Sequence, residues 1–153
     1  MELGSIEREI YVDAAPEVVF DVVSKPEHLA GWWPDDARYE VAPGSAGEIT
    51  FGDPDGEGAL VGLTVLEVQP PRTFTFRWTH RPGEEAAEGN SLLVTFDLTP
   101  SGSGTRLRMT ETGFREMGWE VAVLEEQYRE HVKGWDFFLP RLPEYASKVA
   151  AGA

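Results

Sequence analysis

An α+β fold, with an antiparallel sheet of about six or seven strands covered by one long C-terminal helix, is predicted by three features of the sequence. Strand-like alternation dominates from about residue 38 to 112, helical spacing returns after it, and the connections between strand-like runs are too short for parallel crossovers.

The first element is "SIEREIYVD", in which Ile6, Arg8, Ile10 and Val12 alternate with Glu7, Glu9 and Tyr11, the period of a strand covered on one face. A helix follows in "AAPEVVFDVVSK". Pro16 suits its first turn, where a missing N–H costs nothing, and Val19, Phe20 and Val23 share a face. A second short helix is expected in "PEHLAGWW", from Pro26 to about Pro34. The runs "EITF", "ALVGLTVLEV", "TFTFRWTH", "SLLVTFDLT" and "TRLRMTET" are rich in β-branched and aromatic residues, and turn-forming stretches such as "QPPR" and "PSGSG" separate them. They form a meander.

The closing helix is read from Leu124, Tyr128, His131, Trp135, Phe138, Leu139 and Leu142, spaced by three and four, with Glu125, Glu126, Arg129, Glu130, Lys133 and Asp136 on the opposite side. From Trp119 to Leu139 it would run roughly 30 Å. Pro140 should end it, Pro143 should start a short final turn, and residues 148–153 are expected to fray. The length of 153 residues suits a single domain spanning residues 1–153.

A formal net charge of −14 repels phosphate backbones and anionic headgroups, so neither nucleic acid nor a membrane surface is an expected partner. With no cysteine, thiolate catalysis and disulfides are excluded. No leader or spanning segment is evident, which makes a cytoplasmic location the expectation. His28, His80 and His131 lack close ligand spacing, so neither metal nor cofactor is predicted. "DPDGEG" superficially resembles a calcium loop, but Thr64 stands where the bidentate glutamate belongs, and the stretch reads as a hairpin turn.

Chemistry concentrates on three stretches. In "TFTFRWTH", alternation places Phe74, Phe76, Trp78 and His80 on one face, a stripe that suits either a core or a pocket wall. Tyr128, His131 and Trp135 bring polar tips to the covered stripe of the long helix, where leucine would serve a plain core better. Glu111 shares its strand face with Leu107 and Met109, so that face, if turned inward, brings a carboxylate within reach of His131. That pair fits acid–base work and a structural ion pair equally in kind. In "LAGWWPDDA", Trp32 and Trp33 cannot both face the core from one helix, so either one of them, Trp33, closes a pocket mouth or both pack under neighbouring loops.

The runs "APEVVFDVVSKPEHLAGWW", "VLEVQPPRTFTFRW", "VTFDLTPSGSGTRLRMTETGF" and "HVKGWDFFLPRL", in this order, resemble the START-like, helix-grip (SRPBCC) superfamily. Within it the chain is similar to the branch named for the C-terminal domain of heat-shock protein 90 ATPase activators. The resemblance implies a curved antiparallel sheet gripping the long helix, with a cavity between them for an apolar or amphipathic small molecule. The stretch from Ala46 to Glu48 departs from the paired glycines common at the third strand, which implies an altered pocket entrance. Gly134 is expected where backbone or ligand approaches the helix closely.

The leading expectation is therefore binding of a hydrophobic or aromatic small molecule by Trp33, Phe76, Trp78, Phe96, Met109, Glu111, Tyr128, His131 and Trp135. One alternative is a cyclase- or hydrolase-like enzyme using His131 and Glu111 as acid and base. Another is a protein-interaction module, as a homodimer or with a chaperone, over a filled interior.

Overall fold

The structure, a computed structural model, describes residues 4–52 and 58–152. Seven strands form one curved sheet in the order β1-β7-β6-β5-β4-β3-β2, antiparallel throughout. These are β1 (Ser5–Val12), β2 (Asp36–Arg38), β3 (Ala46–Phe51), β4 (Ala59–Gln69), β5 (Thr73–Trp78), β6 (Leu92–Ser101) and β7 (Gly104–Thr112). Strands β2 to β7 are a meander, and β1 joins its far edge against β7. A register shift between Val65 and Glu67 bends β4. The predicted turn at residues 53–57 lies outside the described residues.

One face of the sheet is the core, built from alternate residues such as Phe74, Phe76, Val94, Phe96, Leu107 and Met109, all fully buried. Helix α1 (Pro16–Ser24) lies over β5 and β6 with Val19, Phe20, Val22 and Val23 turned inward. Its extended N-cap, Ala15, and Pro16 start it, and the Pro26 that follows Lys25 forces a new helix. That helix, α2 (Pro26–Leu29), is shorter than predicted. The chain leaves helical geometry before the two tryptophans, so both indoles turn inward. Trp32 is fully buried and donates its N–H to Val22 O at 3.0 Å, and Trp33 is almost as buried. Of the two expectations, packing of both rings is the one observed, because the helix that would have divided them ends at Leu29.

Helix α3 (Val121–Phe138) stands off the sheet, and Trp135 is its one fully buried residue among those described. Long side chains bridge the gap. Tyr128 donates to Ser5 O at 2.7 Å, and Arg8 of β1 meets Asp136 at 2.7 Å.

The C-terminus differs from expectation. Where a short turn and a tail frayed over residues 148–153 are expected, α4 runs from Arg141 to Gly152, and Ala153 lies outside the described residues. Leu142 and Ala146 are buried and Val149 packs on the core, an apolar spacing that holds the helix against α1 and β1. The Tyr145 hydroxyl and His28 Nδ1 lie 2.8 Å apart, and Gly31 leaves room for the tyrosine ring.

His80 is a second correction. Strand β5 stops at Trp78, and Thr79 adopts a positive φ of 77°, which breaks the alternation. His80 is carried to the opposite face, where its ring packs over Gly62 and its Nε2 lies 3.1 Å from Thr64 Oγ1. Among the described residues no helix is long and apolar enough to cross a membrane, and no cluster of acidic residues, histidine or cysteine is placed to hold a metal ion.

Candidate functional site

Glu111 is the organising residue. Alternation along β7 puts it on the inner face with Leu107 and Met109, opposite Val94 on β6, and its side chain is wholly buried. Three ring nitrogens surround its carboxyl. Trp78, at the end of β5, donates to Oε2 at 2.7 Å, Trp135 donates to Oε1 at 2.8 Å, and His131 Nδ1 lies 2.9 Å from Oε1. His131 and Trp135 are one helical turn apart, so both reach the same oxygen from α3. Indole nitrogen only donates, and a carboxylate only accepts, so the set is matched in kind. Such bonds offset the several kcal/mol that taking a carboxylate out of water costs.

Aromatic rings seal this cluster. Phe114 meets the His131 ring edge-on at 5.4 Å, and Trp78 lies 5.3 Å from it. With Nδ1 turned to Glu111, the imidazole is fixed in orientation and its Nε2 has no protein partner among the described residues.

Beside the cluster lies a pocket of about 490 Å³. Gln127, Glu130, His131, Gly134, Trp135 and Phe138 supply the α3 wall. Phe51 of β3, Ala59 and Val61 of β4, and Trp78 and Thr79 supply the sheet wall, and Trp33 closes the inner end. Trp33 stacks on Trp135 with ring centres 5.0 Å apart and meets Trp78 edge-on at 4.8 Å. A β-carbon at Gly134 would touch nothing within 4 Å, so this glycine opens on the hollow, and no backbone approaches it. Thr79 is strained at the rim: a β-branched residue at positive φ, with its hydroxyl buried and unbonded.

Of the residues singled out from sequence, Trp33, Trp78, His131 and Trp135 stand on the pocket wall. Glu111 lies behind it. Phe76, Phe96 and Met109 do not reach the hollow, because they are sealed in the core with Trp33 and Trp32 packed over Phe76 and Phe96. Tyr128 is tied instead to the start of β1. The stretch Ala46–Glu48 is not part of the lining either. Sequence reasoning missed Phe51, Val61, Gln127 and Glu130 as lining residues. Phe51 closes a strand-like run, but nothing in the alternation reveals which strand end faces the helix. The wall offers aromatic surface and one oriented imidazole, with no exposed thiol or unburied hydroxyl among the described residues.

No curated protein matches the chain. Solved structures do. A protein from Nitrosomonas europaea superposes with a TM-score of 0.75 at 18% identity, over 95% of this chain and 96% of that one. One from Mesorhizobium loti gives 0.72 at 21% identity, over 94% and 97%. The Aha1 dimer from Colwellia psychrerythraea gives 0.63 at 20% identity, over 92% and 93%. These likenesses establish the helix-grip fold. The family model described as "Activator of Hsp90 ATPase homolog 1-like protein" matches residues 13–147, nearly the whole chain, and the chain belongs to that family.

Proposed function

We propose that the hollow between α3 and the sheet binds a hydrophobic or aromatic small molecule. The observation that carries this reading is a pocket of about 490 Å³ walled by five aromatic rings and one imidazole held in a single orientation. Its size lies within the range of small-molecule sites, roughly 300–1,000 Å³, and its mixture of apolar wall and few polar groups is typical of them. Family membership supports a ligand-binding domain in general terms.

The test is titration with the fluorescent neutral probe N-phenyl-1-naphthylamine, on the wild-type chain and on Gly134→Leu. Saturable enhancement with the wild type and its loss in the folded variant are expected. An absence of saturable binding to the wild type would reject the proposal.

A second reading draws on the 2.9 Å contact between His131 and Glu111, which aligns an imidazole as a carboxylate does in acid–base hydrolases. On this reading His131 exchanges the proton and Glu111 holds it. Assembly as a homodimer is a further proposal, for which the Colwellia dimer is a precedent, and light scattering would test it.

A further inference from the structure

The charge pattern of the pocket narrows the class of its guest, an inference that rests on the small-molecule reading above. Among the described residues no lysine or arginine lines the hollow, and the one acidic lining residue is Glu130 on α3. Lys133 comes within 3.9 Å of that carboxylate, but both side chains are mostly exposed and water screens the pair. Behind the wall stands the Glu111 carboxyl, bonded only to uncharged indoles and to the His131 ring.

The wall itself favours positive charge. Trp33, Phe51, Trp78, Trp135 and Phe138 surround the space, and an aromatic ring presents a negative face that attracts cations, as Phe138 already does for the Arg141 guanidinium at 5.8 Å. With the Nδ1 proton assigned to the side of Glu111, the neutral His131 ring adds an acceptor at Nε2, which has no partner among the described residues. At longer range the chain's net charge of −14 draws cations towards the molecule and repels anions. A hydrocarbon guest would leave Nε2 desolvated and unbonded, which is unfavourable. An anionic guest would find no lysine or arginine among the described lining residues.

We infer that the pocket selects an organic ammonium: an amine on an aromatic or bulky apolar body, which donates an N–H to His131 Nε2 and lays its body against the rings. Calorimetric titration of the intact chain with three naphthalenes of one shape tests this, using 2-(2-naphthyl)ethylammonium, 2-(2-naphthyl)ethanol and 2-naphthylacetate. The alcohol keeps the hydrogen-bond donor, so the comparison isolates charge. The ammonium is expected to bind about tenfold more tightly than the alcohol, the carboxylate to bind weakest, and the ammonium's advantage to shrink with added salt and in Glu130→Gln. Equal binding of ammonium and alcohol, or tighter binding of the carboxylate, overturns the inference and leaves the pocket reading standing. So does failure of all three while N-phenyl-1-naphthylamine binds; failure of the neutral probe as well removes both.

Discussion

Trp135 donates its indole N–H to Glu111 Oε1 at 2.8 Å, and this bond joins the one fully buried residue described on α3 to the inner face of the sheet near the end of β7. Together with His131 on the same oxygen and Trp78 on the other, it makes a single carboxyl the buried fastening point of α3, beside the outer ties from Tyr128 to Ser5 and from Asp136 to Arg8. Glu111→Ala should therefore destabilise the chain by about 3–5 kcal/mol, because it strands three buried donors. Glu111→Gln keeps one acceptor oxygen but turns an NH₂ against an N–H, and should fall between it and wild type. Urea unfolding followed by tryptophan fluorescence measures both. A change below about 1 kcal/mol for the alanine variant would show that the cluster is not what holds α3.

Gly134 offers the opposite trade. A glycine within a helix costs about 1 kcal/mol relative to alanine, and a β-carbon here would meet nothing. Gly134→Ala should raise stability by up to that amount while intruding on the pocket, so the affinity for N-phenyl-1-naphthylamine should fall. Thermal unfolding and probe titration on the same sample read the two effects separately. Greater stability with unchanged affinity would mean that the guest does not lie against this turn of the helix.

His80 predicts acid sensitivity away from the pocket. Burial pushes its pKa down; Glu84 nearby opposes this and Arg77 reinforces it. The ring sits over Gly62, its Nδ1 unbonded, with Thr64 on its other nitrogen. Since the folded state disfavours the charged ring, stability is fully present above the unfolded value of about 6.5. It is lost as pH falls from there through the lowered folded value, because the unfolded chain takes up the proton first. His80→Gln should flatten that part of the stability profile between pH 7 and 5 in urea titrations. An unaltered slope would assign the acid sensitivity to other groups.

Much of this architecture was legible in the sequence because it follows from short-range rules. Alternation placed Glu111, Met109 and Leu107 on one face, and spacing by three and four placed His131 and Trp135 together on α3. What was not legible depends on where alternation stops. Thr79, at positive φ, sends His80 to the far side of the sheet, and the early end of α2 frees both Trp32 and Trp33 to turn inward. The helical tail was hidden by Pro140 and Pro143, although Leu142, Ala146 and Val149 already carried its period. The pocket wall is a relation between distant elements. Phe51 and Phe138 meet at 6.1 Å across it, which no local pattern encodes.

Besides the Tyr128 bond to Ser5, α3 is tied to β1 by the Arg8–Asp136 pair, with Nε to Oδ1 at 2.7 Å and a longer second bond at 3.3 Å. The Arg8 guanidinium holds the Asp136 carboxyl below the usual carboxylate range, chiefly through the hydrogen bond. A depressed folded pKa means that this contribution is present above the unfolded value and disappears as pH falls through the folded one. Asp136 is about half exposed, with a side-chain exposure of 53%, so water weakens the pair, and Asp136→Asn should cost at most about 1 kcal/mol at neutral pH. Its deficit should vanish in strong acid, where wild type loses the charge as well, and should shrink in high salt. Because the bond fixes α3 against β1 from the side opposite the pocket rim, hydrogen exchange along α3 should rise in the variant, with the Glu111 cluster still holding the turn around Trp135. Uniform exchange along the helix would mean that the two fastenings do not act separately.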